Sequence, residues 1–136
     1  MSHQLETIIG YKFKNPKLLE TALTHTSYAN ESRTPVQHNE RLEFLGDSVL
    51  QIVSADYLFH AYADRPEGDL TRIRYSLVSE GALFQFEQEI NLGEYLRLGR
   101  GDVYKRQGLE NAEFVHDTVP HELGIFQARD HAEHPL

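Results

Sequence analysis

The chain contains no cysteine. That excludes a disulfide framework and is compatible with a reducing cytosol. Basic residues are scarce: 13 Lys and Arg stand against 21 Asp and Glu, a formal net charge of −8. A general nucleic-acid binder is basic, so the balance argues against that class. A protein that works through bound cations tolerates an acidic site, because the cation inverts the local field. No apolar run approaches the ~20 residues of a membrane-spanning helix. Residues 1–6 lack the basic and apolar regions of a signal peptide. A cytoplasmic protein with no membrane partner is the expectation. Strand-like alternation and internal repeats are also missing. A chain of 136 residues has room for one domain at most, and a 40% apolar content suffices for a small core.

What is present reads as a succession of helices, so an all-α fold is predicted. Leu5, Ile8 and Ile9 give a short apolar face over residues 4–10. Asn15-Pro16 forms a helix start, with Asn15 as N-cap and Pro16 at the first helical position. Leu18, Leu19, Ala22 and Leu23 continue that helix, which ends in the polar run Thr24–Tyr28. Residues 29–37 have loop composition. A long helix is expected from Asn39 to Tyr62, and Arg65-Pro66-Glu67-Gly68 breaks it. Asp69 is expected to cap a helix through Leu70, Ile73 and Leu77. Ser79 is expected to cap one through Leu83, Phe84, Phe86 and Ile90. Asn91-Leu92-Gly93 stops it, with the glycine available for a left-handed cap. Residues 94–101 read as a short extended or turn segment.

The chemistry concentrates between His38 and Leu50. On a helix, Glu40, Glu43 and Asp47 fall at i, i+3 and i+7, so three carboxylates share a face. Leu42, Leu45, Val49, Ile52 and Val53 form an opposing apolar stripe. Like charges at i and i+4, here Glu43 and Asp47, cost an isolated helix roughly 0.2–0.5 kcal/mol. Gly46 between them costs about 1 kcal/mol more relative to Ala. One reason to gather such oxygens is to hold Mg²⁺, which takes few protein carboxylates and keeps several waters. A solvated acidic face is the competing reading of the spacing alone. His25, His38 and His60 show no ligand spacing and are assigned no chemistry.

The run Asn-Glu-Arg-Leu-Glu-Phe-Leu-Gly-Asp-Ser-Val-Leu at residues 39–50 closely resembles the signature of the ribonuclease III family. Pro66-Glu67-Gly68-Asp69-Leu70-Thr71-Arg72-Ile73-Arg74, Leu77-Val78-Ser79 and residues 92–99 are similar to its next blocks, and His25–Tyr28 to its usual second-helix ending. The resemblance covers about residues 5–101. It implies an all-helical endonuclease domain, a homodimer, double-stranded RNA as substrate, and Mg²⁺ (with Mn²⁺ as a substitute) for phosphodiester hydrolysis by two metal ions. No small-molecule cofactor is implied. Matched residue by residue, Glu43 is a metal ligand and Asp47 a catalytic metal-binding carboxylate. Glu40 and Glu67 match acids associated with the cleavage site. A solvated loop acid is the plainer reading of Glu67. Phe44 matches the aromatic that plugs a socket on the partner subunit, with an ordinary core Phe as its alternative. Arg72 and Arg74 could touch RNA phosphates, or simply be exposed helix arginines.

The pattern fails after Gly101. The family completes its metal site with a second helix carrying Asp-x-x-Glu. Here Asp117 stands at about the right distance, but Pro120 occupies the Glu position and Glu122 comes two residues late. Half of the eight histidines, His116, His121, His131 and His134, crowd the tail at irregular spacing. Residues 102–107 can be encoded by DNA similar to a transposon end used in sequencing-library preparation. The expectation is therefore an incomplete catalytic domain over 1–101 and a tail, 102–136, that is a sequencing or assembly artefact. A double-stranded-RNA-binding domain, common after the family's catalytic domain, has no room. The competing expectation is a non-catalytic RNA-binding or dimerisation module that has lost its second acidic motif.

Overall fold

The computed structural model describes residues 2–103, and they are helical, with no strand among them. In chain order the helices are α1 (Ser2–Ile9), α2 (Pro16–Ala22), α3 (Thr26–Glu31), α4 (Glu40–Ala61), α5 (Glu67–Leu77) and α6 (Glu80–Ile90). A 3₁₀ turn at Leu92–Tyr95 follows, and residues 100–103 begin a further helical turn.

Local chemistry places most boundaries where the residues predict them. Asn15 accepts from the Lys17 amide with Pro16 just behind it. Ser79 accepts from the Ala82 amide and starts α6. α4 ends at Ala61 with Tyr62 as its C-cap. Three expectations change. Thr24–Tyr28 does not finish the second helix, because Thr24 leaves it to bridge Arg97 in a parallel pair. His25 then caps a separate helix, α3, that extends to Glu31 inside the expected loop. α5 starts at Glu67 rather than after Asp69, whose carboxylate pairs instead with Arg72 at 2.9 Å and Arg65 at 3.5 Å. The left-handed residue after α6 is Asn91 (φ 53), not Gly93. Asparagine tolerates that region better than other residues with a side chain, and Gly93 donates its amide to the buried Glu87 carboxylate at 2.9 Å.

The main core joins the two ends of the described chain. Leu5, Phe13, Leu19 and Leu23 pack with Leu92, Leu96 and Leu98, flanked by Ile9, Tyr11 and Val103. Ile8, expected on the same face as Leu5, is 49% exposed. The extended segment after the 3₁₀ turn buries alternate residues, Leu96 and Leu98, and turns Arg97 outward between them. The Arg97 guanidinium reaches Glu20 at 2.7 Å and Tyr28 Oη at 3.0 Å, and lies 4.4 Å from the centre of the Tyr28 ring. α4 pairs with α5 in a helical hairpin through residues 62–66. Between α1, α4, α5 and α6 lies an apolar groove of about 540 Å³, with Leu50, Tyr57, Leu77, Leu83 and Phe86 among its walls.

Candidate functional site

Asn39 fixes the start of α4. It is 3% exposed. Its side chain turns away from α4 and donates to Ala22 O at 3.2 Å, and its amide donates to Thr24 O at 2.9 Å. Its own carbonyl accepts from the Glu43 amide at 2.8 Å. A buried asparagine bonded on both sides ties the first turn of α4 to the C-terminal end of α2. The orientation of Glu43 is set through that anchor. Sequence spacing gave Asn39 no such role, because its partners are backbone carbonyls about 15 positions away in the chain.

The buried line of α4 is Gly46, Leu50, Ser54 and Leu58, at i, i+4, i+8 and i+12. It is not the apolar stripe expected from the sequence: Leu45 and Ile52 of that stripe are 54% and 55% exposed. Ser54 satisfies its buried hydroxyl internally by donating to Leu50 O at 2.7 Å.

The carboxylates occupy the first turns of α4. Glu43 is half-buried, whereas Glu40 and Asp47 are exposed. Glu43 and Asp47, one turn apart, present hard oxygen donors on one side of the helix, the donor chemistry that suits Mg²⁺. Among the described residues no group of three His, Cys, Asp or Glu side chains gathers into a metal cluster. Glu43 and Asp47 are the carboxylates that the described residues bring to one side of α4. Glu40 lies 3.9 Å from His38. Glu67 is not brought to this group. It starts α5 at the far end of α4, and the 18 residues from Glu43 to Ala61 rise about 27 Å. There it accepts from Thr71 Oγ1 at 2.8 Å.

Phe44 is 79% exposed, so it is not a core phenylalanine. It lines a cavity of about 1020 Å³ at the start of α4, with Leu18, Thr21, Val36, His38 and Leu42 on the other walls. Arg72 is exposed and paired with Asp69, while Arg74 is half-buried rather than outward. Asp117, Pro120, Glu122 and the tail histidines His116, His121, His131 and His134 lie outside the described residues.

Comparison with known proteins gives these residues a context. A family model for ribonuclease-III-like proteins matches residues 15–120. Ribonuclease 3 of Clostridium tetani is 51% identical over 115 residues, covering 85% of this chain and 48% of that protein. Ribonuclease 3 of Streptococcus gordonii is 47% identical over 116 residues, covering 85% and 50%. The chain spans about half the length of the curated relatives it matches. Among solved structures, the nuclease domain of ribonuclease III from Campylobacter jejuni is similar, with a TM-score of 0.74 and 35% identity over 96% of this chain and 85% of that one. That structure is characterised by flexibility in a region involved in dimer formation. In sequence and in fold, the chain belongs to the ribonuclease-III-like family.

Proposed function

We propose that this chain is part of a Mg²⁺-dependent endoribonuclease domain acting on double-stranded RNA in the cytoplasm, with Glu43 and Asp47 as its metal-binding carboxylates. The observation that carries the reading is the pair itself, Glu43 and Asp47 one turn apart at the anchored start of α4, in a chain of this family. Asn39 holds the first turn, so the Glu43 carboxylate is presented from a fixed backbone. The chemistry supplied by the ion, when bound, is activation of a water and stabilisation of the leaving oxygen. Double-stranded RNA is recognised mainly by shape and by 2′-OH and phosphate contacts, which suits an exposed acidic site that acts through cations. Glu40 belongs to the same end of α4 and would act beside the pair. Glu67, beyond the far end of α4, whose stretch from Glu43 to Ala61 rises about 27 Å, would serve one site with Glu43 only through a second subunit. Exposed Phe44 beside an open cavity supports a two-fold dimer in which each Phe44 enters the other subunit's cavity. The acids expected in the family's Asp-x-x-Glu helix fall outside the described residues, and Pro120 replaces the Glu. Cleavage by the chain as written is therefore expected to be absent or very slow.

The test is Mg²⁺ titration of thermal stability beside cleavage of long duplex RNA. Stabilisation that grows with Mg²⁺ and is lost in Glu43→Gln and Asp47→Asn supports the metal site. Measurable cleavage abolished by Asp47→Asn would overturn the expectation that the chain as written is inactive. A second reading, a non-catalytic RNA-binding or dimerisation module, is favoured by Pro120 in place of the Glu of the second acidic motif. Duplex-RNA binding without any Mg²⁺ stabilisation would establish it.

A further inference from the structure

We infer that His25 is a pH-dependent latch between α3 and the helical turn that begins at residue 100, with Asp102 counted as part of the fold and not of the tail expected to start there. One ring nitrogen faces groups that need opposite protonation states. His25 Nδ1 lies 3.2 Å from Ser27 N and 2.8 Å from Ser27 Oγ. It also lies 3.5 Å from Asp102 Oδ2. The Ser27 amide can donate only to a bare Nδ1, and the Asp102 carboxylate can accept only from a protonated one.

The two states lock different partners. With the ring neutral and its proton on Nε2, Nδ1 accepts the Ser27 amide and caps α3. The Ser27 hydroxyl then directs its own proton to Nδ1 and accepts the Gly99 amide at 2.9 Å. Ring, hydroxyl and Gly99 form one chain of hydrogen bonds across the junction. With the ring protonated, Nδ1–H donates to Ser27 Oγ at 2.8 Å and its charge faces Asp102 at 3.5 Å, the Ser27 amide loses its cap, and the Ser27 proton must point elsewhere. The imidazole and carboxylate side chains are 25% and 18% exposed, so solvent only partly screens the pair.

The charged groups around the ring come from three other parts of the fold. Arg97, on the extended segment, directs its guanidinium to Glu20 of α2 and Tyr28 of α3. Glu31, at the end of α3, directs both carboxylate oxygens to the Arg100 amide, at 2.9 and 3.1 Å. Asp102 is the charge that faces Nδ1. Gly99 allows the close approach: a Cβ there would meet Ser27 O at 2.8 Å and Glu31 Oε1 at 2.7 Å.

The experiment is amide NMR on the whole chain between about pH 7.5 and about pH 5.5, where histidine titrates. The Ser27 and Gly99 amide resonances are expected to move together, following the His25 ring. In His25→Asn the side-chain oxygen still caps α3 but cannot titrate, so the movement should vanish. In Asp102→Asn the protonated ring has lost its negatively charged partner and faces a neutral amide. Ser27 amide exchange at about pH 5.5 should then be a few-fold slower than in the wild type, the scale of one partly exposed ion pair. Static Ser27 and Gly99 resonances while the wild-type ring titrates would overturn the latch. So would a response that persists in His25→Asn, or exchange in Asp102→Asn equal to the wild type. The wild-type titration decides the matter even if a variant folds poorly.

Discussion

At the residue scale, the decisive feature is how few side chains carry each task. Glu43 and Asp47 are the two carboxylates on which metal binding is proposed to rest. At Mg²⁺ one hundredfold above its dissociation constant, binding to the native state adds about 2.7 kcal/mol. Glu43→Gln and Asp47→Asn are each expected to remove that Mg²⁺-dependent gain, which differential scanning calorimetry with and without Mg²⁺ reads directly. A second residue-scale prediction concerns acid. The Phe13 amide donates to the Glu6 carboxylate at 2.8 Å and holds Glu6 below the ordinary carboxylate value; His3 and Lys12 act the same way, and partial burial opposes them. A depressed folded-state value means that the carboxylate stabilises the fold above the unfolded value, about pH 4.3, and that this is lost as pH falls through the lower folded value. Glu6→Gln should therefore destabilise at pH 7, and the difference from wild type should close in melts taken below about pH 4. Gly99→Ala should cost about 2 kcal/mol, because the added carbon collides with the Ser27 carbonyl and one of the two must shift.

At the element scale, each helix is specified by a short local signal, and the exceptions show where such signals stop. Asn15-Pro16 and Ser79 act through neighbours two or three residues away, so their helix starts are visible in the sequence. Ser79→Ala is expected to cost about 1 kcal/mol, measurable as a lower urea midpoint with an unchanged slope. α3 was not visible in the same way. Its cap is a histidine ring, and the break before it comes from a bridge between Thr24 and Arg97, 73 positions apart. α4 was legible in its length and its acids, but its buried line was not. Hydrophobicity points to Leu45 and Ile52, whereas packing buried the line of Gly46, Leu50, Ser54 and Leu58. The acid pair was legible because a helix dictates which residues share a side. The anchoring of that pair by Asn39 was not, because it depends on where α2 ends.

At the scale of the whole molecule, the described residues present an apolar surface that their own core does not cover. Phe44, Leu45 and Ile52 of α4 are all more than half exposed, and Phe44 borders a cavity of about 1020 Å³. If that surface joins two copies, Phe44→Ala should weaken self-association roughly thirtyfold, the scale of a 2 kcal/mol anchor residue. The monomer melt should hardly change, since Phe44 makes little of the monomer core. Sedimentation equilibrium on the two proteins compares the association constants. Equal constants would remove Phe44 from the interface. The proposed metal carboxylates and the proposed dimer belong to the same scale, because an acid at the far end of α4 would meet Glu43 only across a subunit boundary.

The sequence by itself showed the family through the resemblance of residues 39–50 to its signature. It also determined the helical class and the placing of Glu40, Glu43 and Asp47 on one side of a helix, through short-range capping and the 3.6-residue period, which act within a few positions. The tertiary structure alone decided that Phe44 lies outside the core, that Glu67 stands apart from the other acids, and that His25 is placed between Ser27 and Asp102. Each of those depends on contacts between residues distant in the chain. Such contacts are fixed by how the helices close on one another, and no local pattern encodes that closure.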